Sequence, residues 1–218
     1  AFPGPHGRTL LATGGSDGTV RIWDTATGTA RTVLTGRNGL VLAVAAFPGP
    51  HGRTLLATGG SDGTVRIWDA DTGTAWAELT GHTFWARAVA AFPGPHGRTL
   101  LATGGGDHTV RIWDVDTGTA RTVLTGHDGG VQAVAAFPGP HGRTLLATGG
   151  EDGTVRIWDT DTGSQLRAVV LGMAVNGLVP IGTGLAVAAH EGVVVMDLGP
   201  AVPMAERSVS SNAADAAP

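Results

Sequence analysis

The chain has 218 residues, 42% of them hydrophobic, no cysteine and a formal charge of −4. That length and apolar content suffice for one packed domain, whereas the lack of cysteine excludes a disulfide framework and a thiolate metal site. The acidic balance, without a basic stripe, speaks against a nucleic-acid surface.

From the first residue the chain repeats itself. Ala1-Phe2-Pro3-Gly4-Pro5-His6-Gly7-Arg8-Thr9-Leu10-Leu11-Ala12-Thr13-Gly14-Gly15 recurs unchanged from Ala46, Ala91 and Ala136, a period of 45 residues. Each copy runs through a short variable turn into Thr-Val-Arg-Ile-Trp-Asp. A period of this length predicts a stack or ring of equal units rather than one irregular core. The third unit shows the predicted elements: strands over Ala86–Phe92, Thr99–Thr103, Thr109–Asp114 and Thr119–Leu124. Pro93 to Gly97, Gly104 to His108 and Val115 to Gly118 separate them, and all three segments are rich in turn formers. Four strands joined by short hairpins give an antiparallel sheet, and several such sheets bury their faces only by packing radially. The segment from Ala168 to Ala189 is apolar enough to raise a membrane helix. Asn176, Pro180, Thr183 and four glycines, together with its strand-like spacing, favour sheet and no membrane span.

The repeated unit resembles a blade of the WD-repeat β-propeller family. The signature is Trp23-Asp24, Trp68-Asp69, Trp113-Asp114 and Trp158-Asp159, with Gly81-His82 and Gly126-His127 ahead of the first strand. The resemblance implies an all-β propeller of about four and a half to five four-stranded antiparallel blades. Residues 1–198 form the blades, in units starting at 1, 46, 91 and 136 and a degenerate last blade near 173–198; residues 199–218 form a polar, disordered tail. Eighteen strands are expected, the first blade lacking its innermost strand and the last its outermost. The mid-repeat start suggests the C-terminal part of a larger ring; a gapped five-bladed ring, or copies joining into a larger one, are the alternatives. The arginine-only basic set and abundant Ala and Gly point to a GC-rich, bacterial coding sequence, and with no signal peptide visible the expected compartment is cytoplasmic.

The resemblance also implies a structural hydrogen-bond network: His82, Thr103, Asp107 and Trp113 in one blade, and His127, Thr148, Asp152 and Trp158 in the next. The second blade has Arg37 at the histidine position. The last is expected to carry Val187, Glu191 and Asp197 in place of Thr, Asp and Trp. The repeated turn aspartates, Asp17 and Asp62 among them, are read as serving the fold rather than a paired-carboxylate hydrolase. His6, His51, His96 and His141 are read as solvated turn residues, with no metal and no cofactor implied.

Differences between copies cluster at two places. The tight turn carries Ser16, Ser61, Gly106 or Glu151, with His108 replacing Gly in one copy. The opening of the first strand carries Asn38-Gly39-Leu40, Thr83-Phe84-Trp85 or Asp128-Gly129-Gly130, then Leu42, Arg87 or Gln132. An unvarying scaffold with one varied face is the pattern of a binding surface, and aromatic and Arg side chains are enriched at interfaces. The candidate partner-binding residues are therefore Phe84, Trp85, Arg87, His108, Asp128, Gln132 and Glu151. His96 and Arg98, repeated in every full copy, are expected on the opposite face. The function expected is a non-catalytic protein-interaction scaffold or sensor within a larger regulatory protein, with protein partners and self-association through open edges. The rival readings are a hydrolase with its site at the channel mouth, built on Glu151, Asp128 and His108, and a purely structural array.

Overall fold

The computed structural model describes residues 1–36 and 39–199, with the side chains of His6 and His141 left aside. Five antiparallel sheets follow one another along the chain. The first contains β1 (Phe2–Pro3), β2 (Thr9–Gly14), β3 (Val20–Asp24) and β4 (Thr29–Leu34). The second contains β5 (Val41–Pro48), β6 (Thr54–Gly60), β7 (Val65–Asp69) and β8 (Ala75–Leu79). The third contains β9 (Ala86–Pro93), β10 (Thr99–Gly105), β11 (Val110–Asp114) and β12 (Thr119–Leu124). The fourth contains β13 (Val131–Pro138), β14 (Thr144–Gly150), β15 (Thr154–Asp159) and β16 (Gln165–Val170). The fifth contains β17 (Val175–Ile181), β18 (Gly184–Ala189) and β19 (Gly192–Asp197). The innermost strands β5, β9, β13 and β17 pack in succession, as blades about an axis do. Ala168 to Ala189 is spread over β16, β17 and β18, and no described helix is long and apolar enough to cross a membrane.

Two expectations need correction. The innermost strand of the first blade is not missing: Phe2 and Pro3 pair with Leu10 and Thr9, and the Phe2 ring is buried. Two residues suffice because that ring joins Leu10, Val20, Ile22 and Leu34 in the contact with the second blade. The last blade departs from the expected register. Its hairpin brings Ala188 opposite Val193, whereas the fourth blade brings Gly149 opposite Val155, so the turn is one residue shorter. Met196 opposite Leu185, not Asp197, therefore stands where Trp158 stands opposite Leu146. Asp197 takes the place of Asp159 and, like it, accepts a backbone N–H two residues on.

Each core lies between two blades. The front of one blade supplies Phe47, Leu55, Ala57, Val65, Ile67 and Leu79; the rear of the next supplies Ala86, Leu101, Trp113 and Val115. Equivalent sets recur at the first and third junctions, while at the fourth the rear is formed by Val175, Leu185 and Val187. Alternation along Thr-Val-Arg-Ile-Trp-Asp produces this, since Val and Ile project forward and Trp rearward. The glycine closing the Ala-Thr-Gly run is set by the same junction. A Cβ on Gly59 would lie 2.5 Å from the Ala86 carbonyl oxygen, and one on Gly104 2.7 Å from Val131 Cγ1.

Candidate functional site

The third and fourth blades each hold a chain of buried polar groups. Trp113 Nε1–H donates to Thr103 Oγ1 at 2.9 Å, and His82 Nε2 lies 2.8 Å from the same hydroxyl. His82 Nδ1 is 3.0 Å from both Asp107 oxygens. The fourth blade repeats this through Trp158, Thr148, His127 and Asp152, at 2.9, 2.8 and 2.9–3.1 Å. The donor directions follow from the end that has no choice. An indole nitrogen can only donate, so the threonine oxygen accepts from it, and a carboxylate can only accept, so His Nδ1–H donates to the aspartate. In the neutral imidazole the threonine hydroxyl then gives its own hydrogen to Nε2.

The electrostatics agree. Burial holds both imidazoles below the ordinary histidine pKa, against the pull of the neighbouring aspartates. Burial pushes Asp107 and Asp152 upward, but hydrogen bonds from the Thr109 and Thr154 hydroxyls, the N–H groups of Thr83 and Asp128 and the imidazoles outweigh it and leave both carboxyls low. In the first blade Trp23 donates to Thr13 at 2.8 Å, and in the second Trp68 donates to Thr58 at 3.0 Å. Arg37 and Asn38 lie outside the described residues. The last blade replaces the chain with apolar contact: Val187 is fully buried and Met196 packs beside it.

Sequence reasoning missed a second polar device. The Asp of each Trp-Asp pair is buried and caps the turn after its strand; Asp69 Oδ1, for example, accepts the N–H groups of Asp71 and Thr72. Its other oxygen takes an arginine from the same blade's first hairpin: Arg53–Asp69 at 3.1 Å, Arg98–Asp114 at 2.9 Å and Arg143–Asp159 at 2.9 Å. The constant separation of 16 residues between these partners was the available signal. Arg98 is consequently a structural residue, not an idle surface one. His51 and His96 are exposed in the intervening turn, with φ near +57° and +59°.

The varied residues meet at the other end of the strands. The tight turn and the opening of the first strand are joined by backbone bonds: Ser61 N to Leu40 O, Gly106 N to Trp85 O and Glu151 N to Gly130 O, at 2.8–3.0 Å. Phe84 and Trp85 stack with ring centres 5.2 Å apart and planes 14° from parallel, while 50% and 38% exposed. The Arg87 guanidinium lies 4.9 Å from the centre of the Trp85 ring and bonds Glu151 Oε1 of the next blade at 2.5 Å. Gln132 donates to that oxygen at 2.6 Å, and Gly130 N–H to Oε2 at 3.3 Å. Burial raises the Glu151 carboxyl, but Arg87 outweighs it and the pKa is lowered. His108 and Asp128 are exposed on the same rim. His108 adopts φ +66° where the equivalent Gly63 and Gly153 have +76° and +71°, a conformation that costs a side chain about 1–2 kcal/mol.

The site's chemistry suits contact more than turnover. Glu151 is an ionised carboxylate committed to Arg87, Gln132 and Gly130, and its lowered pKa makes it a poor proton donor at neutral pH. Among the described residues no three His, Asp or Glu side chains converge as metal ligands.

Residues 4–24, 28–69, 73–114 and 118–159 match the family model described as WD domain, G-beta repeat. The chain is a member of the WD-repeat family. No curated protein matches the chain. The family matches stop at 159, and the fifth sheet lies beyond them. Membership supports a protein-interaction scaffold in general, in a family that is typically non-enzymatic.

The neutral histidines of the WD network give the protein a pH dependence with a definite sign. Their pKa values are lower folded than unfolded, so their contribution is complete above the unfolded value of about 6.5 and is lost as pH falls through the folded one. The lowered aspartates add a second loss below about pH 4. The urea midpoint is expected to fall between about pH 7.5 and about pH 5.5. A midpoint that stays level or rises over that interval, followed by circular dichroism, would contradict neutral His82 and His127.

Proposed function

We propose that this chain is a non-catalytic interaction scaffold or sensor, part of a larger regulatory protein, whose partner docks on the rim bearing Phe84, Trp85, Arg87, His108, Asp128, Gln132 and Glu151. The observation that carries this reading is the stacked Phe84–Trp85 pair, exposed yet anchored by Arg87, itself tied to Glu151. Anchoring of this kind lowers the ordering cost of binding, and desolvated aromatic and Arg side chains supply most interface energy. Leu40 and Leu42, at the positions of the second blade that correspond to Trp85 and Arg87, are also exposed.

The test is capture of cross-linked partners from cells of the source organism, comparing wild type with a Trp85→Ala/Arg87→Ala variant. The control is His96→Asn alone, because Arg98 holds Asp114. Loss of two hot-spot side chains is expected to weaken binding by at least ~30-fold, equivalent to about 2 kcal/mol. Equal capture by all three proteins would remove the partner from this rim, and turnover of a small substrate by the purified chain would replace the scaffold reading with the hydrolase.

A further inference from the structure

An arginine stands at the same register in the third strand of each of the first four blades. Arg21, Arg66, Arg111 and Arg156 lie opposite Thr13, Thr58, Thr103 and Thr148. Three of these guanidinium groups have acceptors. Arg21 donates to Asp17 at 2.7 Å. Arg66 donates to Asp62 at 3.3 Å and, through Nε, to Glu78 at 3.0 Å. Arg156 donates to Gln165 at 2.6 Å and, through Nε, to Thr154 at 3.3 Å. Among the described residues the Arg111 guanidinium makes no hydrogen bond or ion pair, and its Nε is buried without a partner. Differences between the copies account for this. Asp107, the counterpart of Asp17 and Asp62, is taken by His82 Nδ1 at 3.0 Å. Val123 stands opposite Arg111 where Glu78 stands opposite Arg66, and Ala120 holds the place of Gln165. Arg111 is half-buried, and a Cβ on Gly81 would lie 2.8 Å from its Nη1. Gly81 opens the segment that runs through His82 and Thr83 to Phe84 and Trp85, so this cation lies against the base of the rim loop.

We propose that Arg111 receives an aspartate or glutamate side chain of the protein that docks on the Phe84–Trp85 rim. This rests on the rim being the docking surface and specifies the partner's chemistry: an acidic residue next to the group that covers the two rings. Charge complementarity selects the occupant. A guanidinium set partly out of water without a counter-ion is poorly stabilised, and a carboxylate is the acceptor it holds best. The second blade shows the same arrangement completed within the chain, where Glu78 supplies the carboxylate to Arg66. In the third blade the equivalent position is Val123, so the carboxylate has to come from outside.

A first measurement needs no partner. The shielded Arg111 Nε–H gives a resonance in a nitrogen–proton correlation spectrum, assigned by its loss in Arg111→Gln. N-acetylglutamate amide is expected to shift this resonance, and N-acetylglutamine amide is not. Neither should shift it in Val123→Glu, which installs an internal carboxylate as Glu78 does beside Arg66. A resonance that stays in place with the glutamate probe, or moves equally with both probes, would overturn the site. The second measurement is cross-linked capture of the protein held by wild type. Arg111→Gln and Val123→Glu are each expected to weaken it at least ~10-fold, the loss of one charge-assisted hydrogen-bonded contact. Val33→Glu is the control: Val33 is exposed like Val123, but it lies opposite Arg21, which Asp17 already holds. Circular dichroism checks that each variant folds. If Arg111→Gln and Val123→Glu bind like wild type while Trp85→Ala/Arg87→Ala does not, the acidic contact falls and the rim stands. If the rim variant also binds like wild type, both fall. A loss with Val33→Glu equal to that with Val123→Glu would likewise overturn the assignment to Arg111.

Discussion

Trp113→Ala is expected to lower the folding free energy by about 3–5 kcal/mol, the range for removing a large core aromatic. Trp113 is 2% exposed and lies in the junction between the second and third blades with Phe47, Leu55, Ile67 and Leu101. Its truncation opens a cavity there and deprives Thr103 of the indole hydrogen. Trp76 provides the comparison within the same molecule. It is 38% exposed on β8, with the Arg53 guanidinium 5.7 Å from its ring centre as its aromatic–cation contact. Trp76→Ala should cost less than about 1 kcal/mol, as surface changes usually do. Urea unfolding followed by circular dichroism gives both values. Similar losses at the two tryptophans would be incompatible with this blade register.

The second large effect is expected from a change that barely alters shape. Thr103→Val keeps the volume of a fully buried side chain but removes the oxygen shared by Trp113 and His82. Two buried groups then lose partners, an indole N–H and an imidazole nitrogen. At about 1–3 kcal/mol each, the total is about 2–6 kcal/mol. The fifth blade indicates the remedy. Val187 occupies this position naturally because Met196 replaces the tryptophan, so the valine leaves no indole donor stranded. Trp113→Met should therefore cost less in the Thr103→Val background than in wild type. Strict additivity of the two changes would argue that the hydroxyl and the indole do not share a bond of consequence.

Much of this architecture is legible in the sequence because the same turn chemistry recurs at a fixed distance. Thr-Val-Arg-Ile-Trp-Asp alternates with period two, and Gly and Asp bound it in every copy, so β10, β11 and β12 fall within a few residues of their expected limits. His82, Thr103, Asp107 and Trp113 can be singled out through the family resemblance that these repeats carry. What periodicity does not carry is the direction of their hydrogen bonds, which follows from the indole being only a donor, the carboxylate only an acceptor and the buried imidazole being neutral. Nor does it carry contacts outside the repeat. The Arg87–Glu151 bond spans 64 residues and joins two positions that differ in the other copies, so no pattern within one unit announces it. The last blade misled for the opposite reason. Counting from its glycines assumes a turn of constant length, and the one-residue-shorter hairpin moves Met196 into the place assigned to Asp197.

The interchangeability of fronts and rears has a genetic consequence. Fifteen residues are identical in all four copies from Ala1, Ala46, Ala91 and Ala136, so wherever their codons also match, the coding sequence contains near-duplicate tracts in the same frame. Unequal crossing-over between any two of them adds or deletes whole multiples of the repeat. Each novel junction it creates again sets a Phe-Leu-Ile front against a Leu-Trp rear, a pairing the fold already makes. Such a locus can change blade number in one recombination event without passing through an unfoldable product, and gene length among descendants should vary in steps of one repeat.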